Sequence, residues 1–238
     1  MINSYSQYNL KYQTLIRKIL NNGIWTDSRN SLTISLPHYS FTVDDMENDW
    51  QLLLRKMNYK GVYGEWITFS SDKPLTNVKQ LQDNGCPYWN GFADEDGSIN
   101  LDYANKLPQQ LNDVIEGILS DKTSRRYHIE LWDSDKQHRE DLNLPCCHHG
   151  YTFSIIQDVL HMTWIQRSTD CFLGLPSDVA FAHYMMKHIA DRTGLKIGSC
   201  MFALSNVHLY ENSIAQAKEI LNRTTADYDK PLKVKLEL

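Results

Sequence analysis

The chain has 238 residues, 42% hydrophobic and 22% charged, which is ordinary globular composition and length for one large domain or two small ones. Its net charge of -5 argues against a general nucleic-acid surface, and no apolar run is long enough to span a bilayer. Five cysteines at irregular spacing fit a reducing, cytoplasmic setting better than a disulfide framework, and the opening MINSYSQYNLKYQ lacks the apolar core of a signal peptide.

The first predicted element is a β-hairpin over SLTISLPHYSFTVD, turning near Pro37 and His38. The stretch from Ser70 to Ser98 is rich in turn formers and polar residues. It also carries Tyr88, Trp89 and Phe92, which predict a packed loop instead of a linker. With no repeat, low-complexity tract or linker elsewhere, residues 1–238 read as a single domain. RYHIELW alternates apolar residues at Tyr127, Ile129 and Leu131, the period of a half-buried strand. YTFSIIQDVLHMTWIQRS is β-branched and aromatic, with a turn expected at Gln157 and Asp158; MFALS reads as another short strand. Two helices follow from spacing. After Pro176, apolar residues fall at Val179, Ala182, Met186 and Ile189, and Gly194 offers a C-terminal stop. After Ser213, an expected N-cap, Ile214, Ala217 and Leu221 share one face. The class is therefore α+β, mostly antiparallel strands with helices in separate runs.

The chemistry concentrates in NLPCCHHGYTF, residues 143–153. Zinc takes cysteine and histidine in tetrahedral sets, usually spaced by two to four residues. Cys146, Cys147, His148 and His149 are consecutive, and neighbours on a strand point to opposite faces, so the four cannot surround one ion. Residue type alone leaves two readings open: a buried cysteine that is mere core, or a nucleophile.

The surrounding motifs resemble the thymidylate synthase family. LPCCHHGYTF is similar to its nucleophile segment, a cysteine followed by histidine and an aromatic strand; aligned on Phe153, the nucleophile corresponds to Cys147 and its neighbour to His148. Cys146 stands where the family usually has proline. QRSTDCFLGLPSD resembles the family's QRS-x-D-x-x-LGLP run, and SNVHLYENS its D-x-HLY-x-N run, with Asn206 in place of aspartate. DKTSRRYHIELWD resembles the SRR strand, and CPYWNGFADEDGSINLDYA, more loosely, the segment between two tryptophans and a tyrosine.

The resemblance implies a thymidylate synthase-like fold and a homodimer formed through its sheets. It implies that Cys147 adds as thiolate to carbon 6 of a pyrimidine nucleotide, so that carbon 5 can attack the methylene group of 5,10-methylenetetrahydrofolate. It places Arg167 and Ser168 from one subunit, and Arg125 and Arg126 from the other, on the nucleotide phosphate, where the guanidinium fork matches phosphate oxygens. The family's glycine-rich N-terminal loop appears here as TDSRNSLT without its glycines, leaving Arg29 as the phosphate residue of that loop. His208 and Tyr210 match the pair that contacts the sugar. Asp170 matches a position contacting both substrate and folate. Trp89, Leu144 and Gly174 fall on the folate side. Glu65, in YGEWITF, matches the glutamate that organises proton transfers, although its spacing to Trp89 is longer than usual and an exposed helix glutamate is the plain alternative.

One departure sets the expected substrate. After LGLP the synthases carry Phe-Asn, and the asparagine both accepts from and donates to uracil. Here the pair is Ser177-Asp178. An ionised aspartate only accepts, so it suits the exocyclic amine of cytosine and a protonated ring nitrogen 3. The same change marks the deoxycytidylate hydroxymethylase branch, in which water adds where synthases deliver hydride from the folate. The expected reaction is hydroxymethylation of dCMP or CMP, with Asp178 both binding and activating the base. The alternatives are a divergent thymidylate synthase acting on dUMP and a non-catalytic nucleotide-binding relative. The charged tail DYDKPLKVKLEL, unlike the apolar tail that seals a synthase, agrees with entry of water.

Overall fold

The computed structural model describes residues 6–28, 31–133 and 142–224. Arg29 and the charged tail lie outside the described residues. The chain opens with helix α1 (Gln7–Asn22). Tyr8, Tyr12, Leu15, Ile16 and Ile19 recur at helical spacing and are all buried, and Ser6 caps the helix by accepting from the Asn9 amide at 3.1 Å.

Strands β1 (Ile24–Thr26) and β2 (Thr33–Val43) follow. The hairpin expected at Pro37 does not form. β2 runs through Pro37 and pairs antiparallel with the last strand, from Thr33 opposite Tyr210 to Val43 opposite Cys200. Proline has no N–H to give a ladder, and the register accommodates this by passing from Leu36–Val207 directly to His38–Ser205. The skipped partner, Asn206, takes a left-handed backbone with φ of 41°. β1 covers the other edge of β2 only at Thr33–Ser35, so Pro37 removes no bond there either.

Helices α2 (Tyr59–Phe69), α3 (Lys79–Asp83) and α4 (Asp102–Ser120) precede the strands of the C-terminal half. Gly64 has a packing reason: a Cβ there would sit 2.1 Å from the Asn84 carbonyl oxygen, so α2 could not lie against the loop after α3. In that loop Trp89 is buried at 8% exposure. Tyr88 and Phe92 stay 39% exposed, against the expectation that all three pack.

β3 (His128–Glu130), β4 (His148–Ile156), β5 (Val159–Gln166) and β6 (Thr169–Asp170) come next, then α5 (Gly174–Thr193), β7 (Lys196–Tyr210) and α6 (Ile214–Ile220). The β4–β5 turn falls at Gln157 and Asp158 as expected, both with positive φ. α5 begins two residues before Pro176 and stops at Gly194 in the left-handed conformation. MFALS is the middle of a much longer strand. Ser213 precedes α6 but makes no capping bond; its hydroxyl donates to Asn212 Oδ1 instead.

The sheet order is β1-β2-β7-β5-β4-β3, with β6 also paired to β7. The pairs of β7 with β5 and β6 are parallel and the others antiparallel, so the α+β expectation with a mostly antiparallel sheet holds. One face of the sheet carries the core residues Tyr151, Phe153, Met162, Trp164, Phe202 and Leu204, covered by helices that include the almost wholly buried α5. Among the described residues no helix is long and apolar enough to cross a membrane.

Candidate active site

The start of β4 and the end of β5 are neighbours, and this brings the two principal motifs together. The Arg167 amide donates to the Cys147 carbonyl at 2.9 Å. The Arg167 side chain turns back along the same segment: Nε donates to the Cys146 carbonyl at 2.8 Å and an Nη to the Pro145 carbonyl at 3.2 Å. Its planar group lies 5.1 Å over the Trp132 ring, and Nη2 comes within 3.9 Å of Cys147 Sγ. A fixed cation beside a half-buried sulfur favours the thiolate.

The two cysteines part sharply. Cys146 is buried, its thiol donates to the His148 carbonyl at 3.2 Å, and burial pushes its pKa well up. Cys147 faces a cavity of about 500 Å³ that Leu144, Arg167, Ser168, His208 and Tyr210 also line. The Cys147 amide donates to Tyr103 Oη at 2.7 Å, which ties the segment to α4.

His208 stands on β7 where the strand passes Pro37. Its Nδ1 lies 2.9 Å from the Asn206 carbonyl and 3.1 Å from Asn206 Oδ1. A carbonyl can only accept, so Nδ1 carries the hydrogen and Nε2 is left to face a ligand. Asn206 does here by side chain and backbone together what the expected aspartate would do with a carboxylate.

Behind Cys147 is a second, smaller pocket of about 80 Å³ lined by Glu65, Phe69, Trp89, Tyr103, His148, Asp178 and Phe181. Trp89 Nε1 donates to Glu65 Oε1 at 2.5 Å, so Glu65 is no exposed surface carboxylate. Burial pushes its carboxyl up from 4.5 to about 7, against the lowering effect of the indole bond; the nearby Asp178 carboxylate adds to the rise. Asp178 accepts from Gln166 Nε2 on one oxygen at 3.1 Å and meets His148 Nε2 at 3.3 Å on the other. Asp170 is placed by the turn into α5: its Oδ1 accepts from the Phe172 and Leu173 amides, and burial raises its pKa. Gly174, at the first turn of α5, leaves room beside Asp170 and Asp178.

The structure thus gathers Cys147, His148, Arg167, Ser168, His208, Tyr210, Leu144, Glu65, Trp89 and Asp178 around two adjoining cavities. It does not bring Arg125 and Arg126 there. Both are exposed and line separate grooves that share no residue with either cavity. Four residues of the site were not expected from the sequence: Tyr103, Trp132, Gln166 and Asn206. Gln166 and Asn206 lie inside the quoted motifs. Tyr103 lies in CPYWNGFADEDGSINLDYA and Trp132 in DKTSRRYHIELWD, so all four sit inside segments already quoted.

A flat heterocycle able to accept and donate hydrogen bonds fits this lining, because Phe92, Trp132 and Leu144 offer ring or apolar surface beside the polar groups. The comparisons with known proteins agree with the geometry. A family model described as thymidylate synthase matches residues 10–237. Over 224 residues the chain is 32% identical to the thymidylate synthase of Buchnera aphidicola subsp. Baizongia pistaciae (strain Bp), covering 89% of this chain and 83% of that protein.

Proposed function

This chain belongs to the thymidylate synthase family of one-carbon transferases, and from that premise we propose that it hydroxymethylates carbon 5 of a cytidine monophosphate, dCMP or CMP. The folate co-substrate, 5,10-methylenetetrahydrofolate, would supply the methylene carbon, held on the side of Trp89, Leu144, Asp170 and Gly174. The nucleotide would occupy the larger cavity.

In this reading Cys147 is the nucleophile. Its thiolate forms a bond to carbon 6 and the ring electrons move toward carbon 5; Arg167 favours the thiolate from 3.9 Å. Arg167 has five N–H donors, and the two backbone carbonyls it holds use only part of them, so it also serves the phosphate with Ser168. His208, with its hydrogen fixed on Nδ1, presents Nε2 to a sugar hydroxyl beside Tyr210. Glu65, poised near neutrality, takes and returns protons within the small pocket it shares with His148 and Asp178. Arg125 and Arg126 would reach the phosphate of a second subunit, which explains why they lie away from Cys147 within one chain and implies a homodimer.

The observation that carries the cytidylate preference is the carboxylate at position 178. Asn would offer one donor and one acceptor; Asp178 offers acceptors, and both of its oxygens already meet nitrogen groups of the pocket. A uracil carbonyl against it would leave two acceptors facing, at a cost of about 1–3 kcal/mol. The identity to a thymidylate synthase favours a second reading, methylation of a uridylate. The test is to supply dCMP, CMP and dUMP with the folate, identify the nucleotide product by mass spectrometry and follow the folate by absorbance. A 5-hydroxymethylcytidylate with tetrahydrofolate supports the first reading. Thymidylate with dihydrofolate establishes the second.

A further inference from the structure

Residues i and i+2 of a strand share a face, and on β5 this puts Trp164 beside Gln166. The Trp164 indole nitrogen donates to Gln166 Oε1 at 2.8 Å, and both residues are buried, at 0% and 4% exposure. An indole N–H can only donate, so the oxygen of the Gln166 amide is fixed on that side. The other end confirms the orientation: Gln166 Nε2 donates to the Ser168 carbonyl at 2.9 Å, an acceptor only. The remaining N–H of that amide is aimed at Asp178 Oδ2, 3.1 Å away. A glutamine amide is ordinarily ambiguous. This one is clamped at both ends by groups that permit a single orientation.

The same indole packs on the group facing the other oxygen of Asp178. The Trp164 ring lies 4.3 Å from the His148 ring and 4.6 Å from that of Tyr151. The buried Tyr151 hydroxyl lies 2.7 Å from His148 Nδ1; when that hydroxyl donates to Nδ1, a neutral His148 carries its hydrogen on Nε2, 3.3 Å from Asp178 Oδ1. One oxygen of Asp178 thus meets a donor whose direction is set from behind by Trp164, and the other meets His148.

We propose that Trp164 is a positioning residue for base selection: by locking the Gln166 amide it keeps a donor on Asp178, which holds that side chain in its acceptor-only form and so enforces the choice of cytosine over uracil. The inference rests on the reading of Asp178 as the base-contacting residue. Donors onto a carboxylate favour its ionised form, whereas an acceptor in the same place favours the neutral acid, which presents a hydroxyl donor as well as an acceptor. The neutral acid therefore has the pattern of asparagine, the pattern that suits uracil. The charged or titratable groups that interact with Asp178 are His148 and Tyr151 on β4, Glu65 on α2, Asp170 on β6, Cys171 just after it and Tyr8 on α1. None of these changes in the variants below.

The test replaces the clamp and its messenger in the full-length protein. In Gln166→Glu, one oxygen still accepts from the Trp164 indole while the other faces Asp178, so the two acids share a proton. The ratio of kcat/KM for dCMP to that for dUMP should fall about tenfold or more near pH 6 and recover as pH rises, a dependence wild type lacks over the same range. Trp164→Phe frees the amide to turn and should lower the ratio by about tenfold with kcat on the preferred nucleotide kept within a few-fold. A merely structural tryptophan would lower both substrates together.

A substrate-free measurement separates this inference from the base reading. The infrared band of the neutral Asp178 carboxyl, assigned by its absence in Asp178→Asn, should appear at higher pH in Gln166→Glu and Trp164→Phe than in wild type. If the band appears at the same pH in all three proteins, the clamp does not act on Asp178 and the inference is overturned, whatever the base preference. If the band moves as expected but wild type prefers dUMP, the base reading falls and the clamp stands.

Discussion

The two cavities around Cys147 make a useful contrast. The larger is lined by the β5–β6 connection, the end of β7, the β1–β2 segment and the residues just before β4, and is rich in groups suited to phosphate and sugar. The smaller is lined mainly by helices α2, α4 and α5 and their flanking loop, and holds two carboxylates among aromatic rings. The division runs between consecutive residues: Cys147 lines one and His148 the other. The alternation that excludes a four-ligand zinc site is what lets neighbouring residues serve two chambers. In the proposed reading, the charged part of the nucleotide and the movement of protons fall in separate environments, one holding Arg167, the other buried enough to raise Glu65 to about 7.

The sharpest way to break this contrast is at the boundary itself. Cys147→Ser should lose about 10⁴-fold or more in turnover, because an alcohol cannot replace the thiolate in the covalent step. Cys146→Ser should stay within about tenfold, since its sulfur is buried away from the cavity and donates to a carbonyl, as a serine hydroxyl also can. Single-turnover assays read by mass spectrometry decide it, and loss confined to Cys146→Ser would reverse the assignment.

In the proposed homodimer, Arg167 and Ser168 of the larger chamber are joined at the phosphate by arginines of a second subunit. Mixing inactive Arg126→Ala chains with inactive Cys147→Ser chains should restore activity, because one hybrid site then has both wild-type halves. Purified heterodimers that remain inactive would show that Arg126 does not complete a neighbour's site.

Within the smaller chamber, Asp178→Asn should weaken turnover of the cytidylate and improve that of the uridylate, shifting the ratio of specificity constants about a hundredfold. Paired measurements of kcat/KM on wild type and variant test it, and an unmoved ratio would restrict Asp178 to a structural role.

The smallest effect concerns Glu65. Its raised pKa predicts an acidic limb of the kcat profile near pH 7, displaced upward by about one unit in Trp89→Phe, where the indole bond that lowers it is gone. The same shift has a stability consequence. Between pH 4.5 and about 7 the folded protein holds a proton on Glu65 that the unfolded chain has released, so stability falls as pH rises through this window. The loss is at most about 3 kcal/mol, and denaturation of wild type and Glu65→Gln at pH 5 and 8 should show it only in the former.

The smaller chamber was also the harder one to read from sequence. The strand motifs at Cys147, Arg167 and His208 are contiguous, and they announce themselves. Glu65 and Trp89 come from segments that meet only through packing, and α2 hides its helical character behind Gly61 and Gly64, which are there for close approach to the loop. α1 and α4 carried readable apolar spacing, with Tyr12, Leu15 and Ile19 in one and Leu107, Leu111 and Ile118 in the other, yet went unassigned. Pro37 misled in the opposite direction. A proline between two β-rich runs is the signature of a turn, and only the skipped pairing with Asn206 shows how a strand can pass through it. Ser213 had the right residue type for a cap, but its hydroxyl was claimed by Asn212.

The pairing of β2 with β7 joins Thr33 to Tyr210, so an early strand waits for one far along the chain. During synthesis the edge of β2 that β7 will cover stays open until β7 has been made, and the wall that carries His208 and Tyr210 is assembled only then. Contacts of such long sequence separation close slowly, after the local helices have formed. Pro37 then has a second role while the sheet is incomplete: a missing N–H in the middle of an exposed edge discourages a neighbouring chain from pairing there before β7 arrives.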